Sequence, residues 1–217
     1  MPLLFCGRSQ DSILAFGKRV RYNTKDYGRR EEGKMKPWQH FKTITHHRFL
    51  VMLGCFKVGL YWQGLTHDLS KYSAVEFRNG ARYYQGTRSP NAAEREDKGY
   101  SEAWMHHKGR NRHHYEYWTD MNMQTKTYES VPMPRKYLVE MVMDRRAACI
   151  VYQGKNYTPG SALTYFENSR EKVLMHPQTQ KELGYILTML RDEGEQVTFR
   201  YLRQQVLKGK PFPWENE

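Results

Sequence analysis

The sequence predicts an all-α fold, a single bundle of about seven helices, and three observations carry that expectation. Apolar residues recur at spacings of three and four in most of the longer segments. Helix-start signals punctuate them: a proline at 37, a Ser73-Ala74-Val75-Glu76 box, and His176-Pro177. No stretch alternates apolar and polar residues for any length, and there is no internal repeat.

Residues 1–36 carry nine Lys/Arg against four Asp/Glu with little periodicity. They read as a basic, flexible N-terminal extension over residues 1–34, ahead of one domain over 35–217. Pro37 suits the first turn of a helix, where its missing N–H has no intrahelical partner to lose. Ile44, His47, Val51, Cys55 and Val58 then share one helical face, so the first core helix spans about 37–59. A short element at 60–65 leads into Thr66-His67-Asp68-Leu69-Ser70-Lys71. Ser73 to Glu76 has the form of a capping box and opens a helix to about residue 85. Residues 87–99, with Pro90, Asn91 and several charges, read as a loop, and so do 121–133. Ser101 and Glu102 start a helix through His106 and His107 that Gly109 weakens by about 1 kcal/mol. A strongly apolar helix covers 137–151. Gly160 or Ser161 starts another, through 173. His176-Pro177 begins a helix to about 192, and Gly194 separates it from a last one at 195–207.

With 217 residues, a net charge of +12 and a pI near 9.6, the chain suits an anionic partner. Nucleic acid, a nucleotide or an acidic metabolite all fit. Cys6, Cys55 and Cys149 are widely spaced and form no CxxC, which suits a reducing cytosol and disfavours structural zinc. Neither a signal peptide nor an apolar run long enough to span a bilayer is present, so a cytoplasmic protein with no membrane partner is expected.

The histidines are unevenly spread. Eight of nine lie between His40 and His114. Imidazole and carboxylate together suit first-row transition metals and Mg/Mn-type ions. One helix presents two ligands to one ion when they are four apart, and no pair here has that spacing. His40 and His47 are seven apart, about 10.5 Å along a helix, as are His107 and His114. Any metal site must therefore draw one or two ligands from each of several helices. His67 and Asp68 fit that demand only at a helix end or facing a cavity, because adjacent helical residues point about 100° apart. Lys71 follows Asp68 by three and either neutralises it or meets an anionic ligand. Asp144 sits in an apolar run from Leu138 to Ile150, where a carboxylate is expensive to bury unless it is paired or bound to a metal.

A helical histidine, a His-Asp pair and a lone aspartate on a later helix resemble the HD-domain superfamily, all-α metal-dependent phosphohydrolases and phosphodiesterases. His67-Asp68-Leu69-Ser70-Lys71 looks like the HD-x-x-K form of several of its branches. HDLSKYSAVEF, AWMHHKGRNRHHYEYW and EMVMDRRAA also resemble a family of small bacterial and phage proteins of unknown function, over about residues 36–205. The superfamily resemblance implies an HD-like bundle in which His47, His67, Asp68 and Asp144 hold one ion, with His40 or His46 as substitutes for His47. If Gly109 breaks its helix, His107 with His113 or His114 supplies a second ion. Otherwise these histidines contact substrate with Arg110 and Asn111. The implied cofactor is one divalent ion or two, among Mn, Fe, Mg, Zn, Ni and Co. The implied reaction is hydrolysis of a nucleotide or other small phosphorylated substrate. Lys71 and Arg110 would neutralise the phosphate, and one of His107, His113 and His114 would ligate metal or protonate the leaving group. Two other readings stand beside it: a di-iron oxygenase on the same scaffold, and a non-enzymatic basic protein that binds nucleic acid or a nucleotide.

Overall fold

In a computed structural model of the chain, residues 35–215 are described. The extension expected over residues 1–34 lies outside them. Eight α-helices account for most of these residues, so the all-α expectation holds. In chain order they are α1 (Pro37–Val58), α2 (Tyr61–Thr66), α3 (Ala74–Arg82), α4 (Pro90–Lys98), α5 (Glu102–Lys108), α6 (Arg135–Gln153), α7 (Ser161–Glu167) and α8 (Pro177–Gln204).

The centre of the bundle is α1 packed on α6. Ile44, His47, Val51, Cys55 and Val58 are all buried, the one face that the periodicity marks. The apolar run of α6 answers it: Leu138, Val139, Val142 and Ala147 are fully enclosed. The two helices approach closely at Gly54, where a Cβ would lie 2.8 Å from Met143 Sδ. That contact brings the middle of α1, with His47, alongside Asp144. The apolar face of α8 (Leu183, Ile186, Leu187, Leu190) closes the core from another side.

Helix boundaries follow local chemistry. Pro37 opens α1, and Gly59, at φ 90°, closes it in the left-handed conformation that glycine adopts freely. Gly194 sits at φ 76°, ψ 178° inside α8, so the expected break is present as a kink within one long helix. Residues 87–99 are not wholly loop. Pro90 and Asn91 start α4 instead of excluding a helix, since proline at the first helical position is favourable. Residues 121–133 are likewise not wholly loop: Thr119–Met121 and Tyr128–Ser130 pair as two short antiparallel strands, β1 and β2, with Asp120 opposite Glu129. No helix among the described residues is long and apolar enough to cross a membrane.

Candidate metal centre

The His67-Asp68 pair sits at a helix end. α2 stops at Thr66, His67 turns extended (φ −49°, ψ 126°), and Asp68 is left-handed (φ 53°, ψ 27°) before a 3₁₀ turn over Leu69–Tyr72. Aspartate tolerates that backbone better than most residues. The reversal turns two adjacent side chains inward together, which a continuous helix forbids. Arg48 of α1 fixes the corner by donating from Nε to the His67 carbonyl (2.7 Å) and from Nη2 to the Leu65 carbonyl (3.1 Å).

Asp68, fully buried, is the hub. On one side lie His47, His67 and Asp144. His47 Nε2 is 3.0 Å from Asp144 Oδ1 and 3.7 Å from Asp68 Oδ2, while His67 Nε2 is 3.3 Å from Asp68 Oδ2 and 3.5 Å from Asp144 Oδ1. On the other side, His107 Nε2 and His113 Nε2 stand 3.2 and 3.4 Å from Asp68 Oδ1. His114 completes that second group. Each group offers four ligand atoms within 4.8 Å of one another, and Asp68 belongs to both.

The helix does break at Gly109. α5 ends at Lys108, and the chain turns with Arg110 and Asn111 N–H groups on the His107 carbonyl. That turn brings His113 and His114 back beside His107, with ring centroids 6.3 and 4.7 Å from it. The sequence left a choice between His113 and His114; both are present. Among the alternatives for His47, His46 is exposed. His40 is buried against Gly80 and the rings of Phe77 and Tyr84, so neither joins the cluster.

Two expected substrate residues stand elsewhere. Arg110 is exposed and donates to the His106 carbonyl (3.2 Å), because the turn after Gly109 points it outward. Asn111 donates to Ser70 Oγ and the His107 carbonyl, both at 2.8 Å, and so braces the second group from behind. Lys71 does reach the cluster, its ammonium 2.7 Å from Asp68 Oδ2 and its side chain 26% exposed.

Two carboxylates that the sequence reading did not assign to the site stand behind the imidazoles. Glu140 Oε1 accepts from His67 Nδ1 (2.9 Å) and His113 Nδ1 (3.1 Å). Glu76 accepts from His107 Nδ1 (2.8 Å) through one oxygen and His106 Nδ1 (2.6 Å) through the other. Glu140 had a signal, as a second acid one turn before Asp144 in the same apolar run. Glu76 was hidden by the capping box. Ser73 Oγ does accept from the Glu76 N–H (3.4 Å), but the Ser73 N–H bonds the Ser70 carbonyl, and the Glu76 side chain turns to the histidines.

The electrostatics call for positive charge. Burial works against ionised Asp68, but His67, Lys71 and His107 hold its carboxyl well below the usual range. Burial opposes Asp144 too, and its bonds to His47 and His67 prevail in the same direction. For His67, burial disfavours the charged ring, yet Asp68, Asp144 and Glu140 raise its pKa well above the ordinary value. His107 is raised likewise, against burial, by Asp68 and Glu76. His114 goes the other way: burial and the charges of His113 and His107 hold its pKa well below the ordinary value. Four carboxylates therefore face one small volume, Asp68, Asp144, Glu76 and Glu140, together with the Lys71 ammonium.

The donor set fits divalent ions. His67 Nε2, His107 Nε2, His113 Nε2, His114 Nε2 and both Asp68 oxygens are buried without an aligned hydrogen bond. Buried polar atoms of that kind require a partner. Charged hydrogen bonds run about 2.7–2.9 Å, shorter than the 3.2–3.4 Å between His67, His107 and His113 Nε2 and the Asp68 oxygens. Ligands about 2.1 Å from a common ion stand roughly 3.0–3.5 Å apart, depending on coordination number. Both groups could hold such an ion.

Residues 36–189 match DUF5662, a family of unknown function, and the chain belongs to that family. No curated protein and no solved structure matches it.

Proposed function

We propose that the chain is an HD-type metal-dependent phosphohydrolase whose two ligand groups, which share Asp68, would hold two divalent ions. One observation carries the reading: six buried donor atoms without aligned hydrogen bonds converge in two groups that share one carboxylate. His47, His67, Asp68 and Asp144 would hold the first ion, and Asp68, His107, His113 and His114 the second. Their order along the chain supports the HD resemblance. Two divalent ions would balance the four carboxylates, leaving the Lys71 ammonium to face an incoming anion. Ions held there supply Lewis acidity and an activated water for attack on a phosphoryl group.

The chain's own residues do the rest. Lys71 neutralises a phosphoryl oxygen while keeping Asp68 oriented. Glu76 and Glu140 hold their imidazoles with Nδ1 protonated, so that each Nε2 lone pair faces Asp68. Access is limited: His67 and Asp68 are enclosed, and Asp144 (16%), Lys71 (26%) and His114 are partly exposed. That favours a terminal phosphate, as on a nucleotide or small phosphorylated metabolite, over an internal phosphodiester of a polymer. The widely spaced thiols and the basic charge suit a cytoplasmic setting with nucleotides as ligands.

The test is elemental analysis of protein purified without an affinity tag, combined with hydrolysis assays on phosphomonoesters and nucleotides. Two equivalents of metal, and hydrolysis abolished by chelation, are expected. Two irons with near-ultraviolet absorption and no hydrolysis would move the reading to oxygen activation. A protein that takes up no metal would leave a basic binding protein and overturn it.

A further inference from the structure

Glu140 touches both halves of the cluster without joining either fourfold group. The same oxygen, Oε1, accepts from His67 of the first group and His113 of the second, whose ring centroids lie 4.4 Å apart. Glu140 is buried, five per cent exposed, on the interior face of α6 one turn before Asp144. Glu76 offers the natural contrast. It meets one imidazole of the second group, His107, and its other oxygen meets His106, which belongs to neither group.

From this asymmetry we infer that Glu140 is a positioning residue that sets the affinity of both metal positions at once. The inference rests on the two-ion reading above. An imidazole whose Nδ1–H is held by a carboxylate keeps its Nε2 lone pair directed and is a more basic ligand. Through one oxygen, Glu140 imposes that state on a ligand of each ion, so weakening its acceptance weakens both positions together. Loss of the equivalent bond at Glu76 weakens the second alone. A carboxylate with a purely structural role in α6 would leave metal affinity as it is.

The test compares E140Q, E76Q and wild type, as full-length metal-free protein titrated with Mn²⁺, with bound and free ion counted by electron paramagnetic resonance. Glutamine is isosteric and its carbonyl can accept both N–H groups, so the fold is expected to hold; circular dichroism checks this. Removing the charge lowers ligand basicity, so E140Q should bind two Mn²⁺ with both affinities reduced by about tenfold or more. E76Q should lose affinity at one position only. An E140Q isotherm equal to wild type, or changed at one position alone, overturns the inference while the metal-site reading stands. Wild type that binds a single Mn²⁺ overturns the coupling, and wild type that binds none overturns both. A second measurement needs no variant. In Zn²⁺-loaded wild type, ¹⁵N spectra of the rings should show Nδ1 of His67 and His113 protonated, and deprotonated Nδ1 at either ring overturns the assignment.

Discussion

Replacing Asp68 by asparagine isolates its charge. Asparagine has the same shape and is also at home in the left-handed backbone at φ 53°. The fold around the corner should persist while the shared ligand is lost. Because Asp68 serves both groups, both ions should weaken together. At free metal a hundredfold above each dissociation constant, binding stabilises the folded chain by about 2.7 kcal/mol per ion, or roughly 5 kcal/mol for two. If the substitution raises each constant about 100-fold, each ion contributes only about 0.4 kcal/mol at the same concentration. In a chain of this size about 1 kcal/mol moves the melting temperature by about 2–4 °C. A metal-dependent rise of about 10–20 °C in wild type should therefore shrink to about 2–3 °C in D68N. The assay is thermal denaturation followed by far-ultraviolet circular dichroism, with Mn²⁺ and with chelator. Comparing the two conditions within each protein cancels the separate effect of unpairing Lys71. A metal-dependent shift in D68N equal to that of wild type would refute the assignment of Asp68 as a shared ligand.

Three further outcomes are expected. Lys71→Met should lower kcat/KM on a phosphomonoester about 100-fold with bound metal unchanged, and a loss of metal instead would make Lys71 a structural partner of Asp68 only. Gly80→Ala should destabilise by about 1–3 kcal/mol through overpacking, since its Cβ would run into the buried His40 ring; an unchanged melting temperature would show that the ring can move. Burial and the nearby Lys71 charge lower the His40 pKa to about 4, so between pH 6.5 and 4 the unfolded chain binds the extra proton. The stability that follows is fully present above about pH 6.5 and is lost as pH falls towards 4, by up to about 3 kcal/mol. The difference in unfolding free energy between wild type and His40→Leu should change over that window, and a flat difference would dismiss the buried neutral ring.

The parts of the structure visible in the sequence are those where one side chain's surroundings are set by its own helix. Ile44, His47, Val51, Cys55 and Val58 declare a buried face by spacing alone, whereas the HD resemblance names His47 as ligand and leaves His40 and His46 open. Asp144 stood out as an acid in an apolar run. What depends on a turn was less legible. His113 and His114 could not be ranked because the chain between Gly109 and Tyr115 has no periodicity, and the structure brings both inward. Arg110 lies in the same turn and was expected at the phosphate, yet it faces solvent. α4 is hard to see because Pro90 and Asn91 are common loop residues, although the same proline is a good first helical residue. Glu76 was misjudged for a different reason: the capping box described its backbone correctly but not its side chain, which long-range partners claimed.

The His47–Asp144 contact joins residues 97 apart in the chain, across the α1–α6 interface. Contacts of that range form only after the intervening loop has closed, so their entropy is lost before their interactions are gained. The cluster is therefore expected to form late in folding and to break early in unfolding. Substitutions there should leave the refolding rate nearly untouched and change the unfolding rate instead. Whatever occupies the cluster thus sets how long a folded molecule lasts, more than how quickly it forms.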